Sequence, residues 1–86
     1  MTEELLNSLA DWLGVKVESL RKAGEAAETC WPKTKPVYIY RNPRTKRSTR
    51  LSDRVPRSTD KYIVLGNGKW QAPAAFLGWL AERNNA

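Results

Sequence analysis

The segment from Arg41 to Lys61 carries the residues with the most evident chemistry. It holds eight Lys or Arg against two Asp in 21 residues. Arg presents a planar fork of N–H donors that matches the oxygens of phosphate and carboxylate groups. The segment therefore predicts contact with an anionic partner. Its basic residues are Arg41, Arg44, Lys46, Arg47, Arg50, Arg54, Arg57 and Lys61.

The charge of the whole chain is concentrated in this segment. The net charge is +6, from 15 basic and 9 acidic residues, and the segment alone accounts for a net +6. The remaining residues sum to zero. This asymmetry favours nucleic acid as the partner, then an acidic protein surface, then anionic lipid.

Several classes of function are disfavoured by composition. A single cysteine, Cys30, allows no disulfide within the chain, and the lack of His removes a usual ligand of zinc. We expect no metal and no cofactor. No recognisable pair of acid and base residues is present, so we predict that the protein is not an enzyme.

The sequence shows neither a signal-peptide pattern nor a membrane-spanning segment. The N-terminus, "MTEELLNSLADWL", is acidic where a signal peptide is basic, and no apolar run approaches the roughly 20 residues of a membrane span. We therefore expect a cytoplasmic protein with no membrane partner. Oligomeric state is not predicted by any feature.

Apolar spacing predicts three helices. Intervals of three and four residues recur over residues 3–13, 17–29 and 73–83. Thr2 is a plausible N-cap for the first helix, and Gly14 a natural stop at its end. Gly24 weakens the second helix.

Strand-like runs are rich in β-branched and aromatic residues. "VYIYR" predicts a strand at about 36–41, while "KYIVLGNGKWQ" predicts strands near 61–66 and 69–72. Asn67 and Gly68 suit the tight turn of a hairpin, in which both central residues need positive φ. We expect one small α+β domain over 1–86, with two N-terminal helices, a three-stranded antiparallel sheet and a C-terminal helix. We expect a long basic loop at residues 42–60 to join the first two strands, and loops of this length are typically functional or mobile.

The helical hairpin carries a second pattern. "LADWLGVKVESLRK", residues 9–22, places Ala10 at a helix crossing, Gly14 at a turn, and Val15 and Leu20 at anchoring positions. This spacing resembles small helix-turn-helix and winged-helix DNA-binding proteins of the excisionase or mercury-resistance-regulator type. The resemblance implies a regulator of transcription or a recombination accessory factor of phage or mobile-element type.

The resemblance also implies roles for individual residues. The second helix would face the DNA major groove with Lys16, Ser19, Arg21 and Lys22. The basic loop would take the place of the wing, which contacts DNA backbone beside the recognition helix in those families. Affinity would then come chiefly from the basic segment acting on phosphates.

The aromatic residues leave two interpretations open. Tyr38 and Tyr40 share one strand face, and Tyr62 lies near them in the predicted sheet. We expect them to pack under a helix, while stacking on unpaired bases is the alternative. Trp12, Trp70 and Trp79 are expected in the core or at its margin.

A rival function rests on the same loop. A protein-binding module, or a phage-type inhibitor, could dock the loop on an acidic host protein surface. The acidic first helix favours this hypothesis, because a DNA-binding protein of this size often spreads positive charge over its helices. The positions of Arg21 and Lys22 discriminate: if they face away from the loop, the protein partner gains support.

Overall fold

The computed structural model describes residues 3–30, 34–57, 59–66 and 69–85, and the side chains of these except Cys30 and Asn85. It is an α+β fold in which three helices pack on a four-stranded antiparallel sheet. The elements are α1 (Glu3–Leu13), α2 (Val17–Cys30), β1 (Val37–Arg41), β2 (Thr49–Ser52), β3 (Tyr62–Gly66), β4 (Lys69–Gln71) and α3 (Ala74–Asn85).

A glycine cap ends α1 and turns the chain into α2. Gly14 has a φ of 78°, and its N–H donates to the carbonyls of Ala10 and Asp11, at 2.9 and 3.2 Å. The N–H of Val15 also donates to Ala10, at 3.0 Å. These bonds form a Schellman motif, which satisfies carbonyls that the helix end leaves open. The predicted stop at Gly14 is confirmed.

The sheet has the order β2-β1-β3-β4, so β1 is central. Tyr40 lies opposite Arg50 on one side and Tyr62 on the other, and Tyr38 lies opposite Ser52 and Val64. Because β2 and β3 are both antiparallel to β1, they run parallel to each other. The segment that joins the end of β2 to the start of β3 must therefore run from one end of the strands to the other.

The hydrophobic core lies between the helices and one face of the sheet. Alternation along β1 and β3 directs Val37, Ile39, Ile63 and Leu65 to that face. The rings of Trp12 and Phe76 meet edge to face at 5.7 Å between centroids. The buried core consists of Leu9, Ala10, Trp12, Leu13, Leu20, Ala23, Ala27, Val37, Ile39, Ile63, Leu65 and Phe76.

The α2 helix crosses closely over the end of the sheet at Gly24. A Cβ atom at this position would lie 2.6 Å from Cζ2 of Trp70. Glycine therefore offsets its cost to the helix by making room for the half-buried indole. The predictions for the three Trp hold, since Trp12 is buried and Trp70 and Trp79 pack partly buried against the core.

The predicted three-stranded sheet with a long loop at 42–60 is wrong. Residues Thr49–Ser52 form a fourth strand, β2, on the outer edge of β1. Leu51 lies opposite Ile39 and packs partly buried against the core. The long loop is thereby divided into a hairpin turn and a shorter connection, residues 53–61.

The remaining predicted elements agree with the structure to within a few residues. The C-terminal helix begins at Ala74 and continues to Asn85, beyond the predicted end at residue 83. Thr2, Asn67 and Gly68, the predicted cap and turn, lie outside the described residues.

The expectation that the tyrosines pack under a helix is also wrong. Tyr38, Tyr40 and Tyr62 alternate with the buried residues of their strands, so they point to the face opposite the helices. All three are half-buried. The core therefore uses aliphatic residues from these strands and leaves the tyrosines on the outer face.

Candidate functional site

The β1–β2 connection is a compact turn with its own hydrogen bonds. The N–H of Asn42 donates to the carbonyl of Ser48, and that of Lys46 to the carbonyl of Asn42, both at 2.8 Å. The side chain of Asn42 accepts from the N–H of Arg44 at 2.9 Å, an Asx-turn arrangement. The hydroxyls of Thr45 and Ser48 are 2.7 Å apart. We call residues 41–50 the basic hairpin.

Lys46 occupies a backbone conformation that L-residues rarely adopt. Its φ is 61°, and it is the one non-glycine residue with positive φ in the described part of the chain. The left-handed region costs a residue with a Cβ atom about 1 kcal/mol. Glycine or asparagine usually occupies such a position. In this protein the position, which we call the hairpin tip, is occupied by the exposed Lys46.

The basic hairpin is attached to the first turn of α2. The N–H of Lys16 donates to the carbonyl of Arg47 at 3.0 Å. Two residues after Arg47, the partly buried hydroxyl of Thr49 donates to the carbonyl of Ser19 at 3.0 Å. These two bonds fix the hairpin against the helix and bring Lys16 and Ser19 to its base.

Arg41 and Lys61 meet at the same end of the molecule. Both line a shallow cavity of about 260 Å³ beside the α1–α2 turn. A Cβ atom on Gly14 would lie 3.2 Å from Nη1 of Arg41, so the guanidinium lies directly over that glycine. The same cavity contains Asp11, whose carboxylate accepts from Arg83 of α3 at 3.1 Å.

The cations of the basic segment have no carboxylate partner among the described residues. The two ion pairs found there join Arg21 to Glu3 and Arg83 to Asp11, and all four side chains are exposed. Arg41, Arg44, Lys46, Arg47, Arg50, Arg54, Arg57 and Lys61 are all exposed too. Their charges are therefore available to an external anion.

The α2 helix presents a different surface. Arg21 lies on the flank that faces α1, where it pairs with Glu3 and lines a pocket with Glu25 and Glu28. Ser19 lies on the flank that faces β2. Lys22 is exposed between the two flanks. Of the four predicted helix residues, the structure thus brings Lys16 and Ser19 to the hairpin and directs Arg21 away from it.

Residues 53–57 and 59–61, which we call the strap, lie between β2 and β3. Val55 of the strap lines a groove with Tyr38, Tyr62 and Val64, so the strap crosses the outer face of the sheet. Arg54 and Arg57 are exposed on either side of Val55 and Pro56. The basic segment therefore forms two separate structures, and Arg50 lies beside Tyr40 between them.

The aromatic groove was only half visible in the sequence. The register places Tyr38 diagonally from Tyr62, and their rings meet edge to face at 5.7 Å. The sequence showed that Tyr38 and Tyr40 share one face of β1, because they are two residues apart. It did not show which face of the sheet the helices cover.

Features of other functional classes are not found in the described residues. No group of three His, Cys, Asp or Glu side chains is placed to hold a metal ion within 3–30, 34–57, 59–66 and 69–85. Across the same ranges, none of the helices is long and apolar enough to cross a membrane.

Comparison of the chain with protein-family models, with curated proteins and with solved structures found no match. The resemblance to excisionases and mercury-resistance regulators therefore stays a prediction that rests on residues 9–22. The geometry of the basic hairpin, the strap and the groove carries the functional argument.

Proposed function

We propose that this protein binds nucleic acid, with DNA as the first choice, by placing the basic hairpin against backbone phosphates. The observation that carries the proposal is an ordered hairpin whose cations, at Arg44, Lys46 and Arg47, are exposed and unpaired among the described residues. Because hydrogen bonds already fix the backbone of the turn, binding does not have to order that backbone.

The position of Lys46 supports the proposal independently. A lysine held at positive φ costs stability that glycine or asparagine would not. Strained residues of this kind cluster at functional sites, where the side chain has a use that offsets the strain. A positive charge in the turn is such a use, because Lys46 is exposed and has no carboxylate partner among the described residues.

Binding of this type is expected to depend little on base sequence. Phosphate contacts give affinity and orientation but carry no direct sequence information. On the exposed surface of α2, Glu18, Glu25 and Glu28 accompany Lys22. These carboxylates oppose close approach of that helix to DNA, so a recognition role for α2 has less support than a backbone role for the hairpin. The biological role that we propose is a regulator or recombination accessory factor of phage or mobile-element type.

The test compares two variants that lose the same charge. In the hairpin variant, Arg44 and Arg47 are replaced by Gln; in the helix variant, Arg21 and Lys22 are replaced by Gln. Affinity for a short random-sequence duplex is measured over a series of salt concentrations. Each phosphate contact contributes about 0.9 to the slope of log K against log salt.

The hairpin variant is expected to lose about 1.8 from that slope, and the helix variant much less. Equal losses in the two variants would show that net charge, and not the hairpin, governs binding. Absence of duplex binding by the wild-type protein at low salt would overturn the proposal.

An acidic protein surface is the second candidate partner, favoured by the position of Arg21. Its guanidinium pairs with Glu3 on the flank away from the hairpin, so the cations do not form one continuous surface. Arg also binds carboxylates in a bidentate manner. If this candidate holds, poly-glutamate will bind to the hairpin at least as tightly as duplex DNA at the same ionic strength, and the hairpin variant will lose that binding.

A further inference from the structure

The outer face of the sheet holds an apolar surface that the helices leave open. Tyr38, Tyr62 and Val64 are half-buried there, on the face opposite the core. The core packing includes other partly buried hydrophobic residues, such as Leu51 and Trp70, but not Val64. The contact between Tyr38 and Tyr62 stabilises the sheet, and an apolar surface outside the core is also available to a ligand.

The strap turns this face into a groove. It runs from the end of β2, where Ser52 lies opposite Tyr38, to the start of β3, where Tyr62 lies opposite Tyr40. The space between the strap and the β4 edge measures about 420 Å³. It is lined by Thr34, Pro36, Tyr38, Val55, Tyr62, Val64, Gly66 and Gln71.

Three cations and two carboxylates lie close in sequence to the residues that line the groove. Arg54 and Arg57 stand exposed on the strap, and Lys69 is exposed on β4, next to the groove residue Gly66 in register. Two carboxylates, Asp53 and Asp60, lie toward the ends of the strap and are exposed as well. None of these three cations forms an ion pair within the described residues. An aromatic floor beside exposed cations is the combination that binds single-stranded nucleic acids.

We propose that this groove takes an unpaired base of a single-stranded nucleic acid. The base stacks on one of the two rings that meet edge to face, Tyr38 or Tyr62, while Arg54 and Arg57 contact the adjoining phosphates. The proposal rests on the proposed function and names its preferred substrate form. Bases in a duplex have both faces covered by their neighbours, so only an unpaired base can offer its face to a tyrosine.

The first test uses the wild-type protein and needs no substitution in the groove. Affinity is measured for oligothymidylate, for an abasic oligomer with the same number of phosphates, and for a short duplex. Base stacking on aromatic side chains changes affinity by about 5- to 150-fold per base. We expect oligothymidylate to bind at least about fivefold more tightly than the abasic oligomer. Equal affinity for the two would overturn the inference.

The second test locates the effect within the sheet. Tyr38→Leu with Tyr62→Leu keeps apolar volume in the groove but removes both rings. This variant should bind oligothymidylate and the abasic oligomer equally, and should bind duplex as the wild type does. Tyr40→Leu is the matched control, because Tyr40 lies on the same strand and face but does not line the groove; it should retain the preference for oligothymidylate.

The outcomes separate this inference from the proposed function. Duplex binding without a preference for oligothymidylate over the abasic oligomer overturns the groove and leaves the hairpin proposal standing. Failure to bind any of the three probes overturns both. Loss of the preference in the Tyr40→Leu variant alone would contradict the assignment to the groove.

Discussion

The basic hairpin and the strap belong to one charged stretch of sequence but are held in different ways. The hairpin has five hydrogen bonds within its turn and two to Lys16 and Ser19, at the start of α2. In the strap, the N–H groups of Arg54 and Lys61 donate to nearby hydroxyls of Ser52 and Thr59, while Val55 lines the groove over the sheet. The hairpin backbone is thus held by more hydrogen bonds than the strap, which has two to neighbouring hydroxyls.

The largest expected difference between the hairpin and the strap is in how much a truncated side chain lowers the free energy of unfolding. Ile39, which is 0% exposed, holds the hairpin through β1, and Val55, which is 52% exposed, holds the strap. We expect Ile39→Ala to lower the free energy of unfolding by about 2–5 kcal/mol. Val55→Ala should cost less than about 1 kcal/mol. Urea denaturation of the two variants measures the difference; comparable losses would mean that the strap is as firmly anchored as the hairpin.

A smaller effect is expected at the turn beneath Arg41. Gly14→Ala places a Cβ atom on a residue with a φ of 78° and 3.2 Å from the guanidinium, so we expect a loss of about 1–2 kcal/mol. Gly78→Ala is the control, because nothing lies within 4 Å of its Cβ position in α3. That variant should gain about 0.5–1 kcal/mol from helix propensity. Thermal or urea unfolding that gives both variants the same sign would contradict this description of the turn.

The smallest expected effect on stability comes from substitutions of Lys46. Replacement by Asn should stabilise the fold but weaken binding. Lys46→Asn relieves part of the cost of positive φ, which we expect to stabilise the fold by roughly 0.5 kcal/mol. Lys46→Gln removes the same charge but keeps the strain, and is the matched control. Both variants should bind duplex more weakly than the wild type. An Asn variant that is less stable than the Gln variant would show that the tip is not strained.

The parts of the fold with strong periodicity were predictable from sequence. The α1 and α2 helices repeat apolar residues at helical spacing, and β1 and β3 alternate β-branched and aromatic residues. The β2 strand was missed because "TRLS" contains one large aliphatic residue, Leu51, in a run of four. Its strand conformation depends on pairing with β1, a tertiary contact that local sequence does not encode.

The charges of the candidate site were also predictable, but their arrangement was not. The excess of Arg and Lys in residues 41–61 is plain from counting. The direction of Arg21, by contrast, depends on Glu3, which lies eighteen positions away on another helix. In the same way, the groove exists because the β2–β3 connection crosses the outer face, and strand order cannot be read from a pattern of residue types.

The most direct test of a phosphate-binding hairpin is a ¹H–¹⁵N NMR titration of the wild-type protein with a short random-sequence duplex. We predict that the largest shifts fall on backbone amides at the hairpin tip and at Lys16, whose N–H donates to Arg47. The chemical shifts of the Glu25 and Glu28 amides, on the flank of α2 away from the hairpin, should not change. Shifts centred on that flank, with an unperturbed hairpin, would contradict the account.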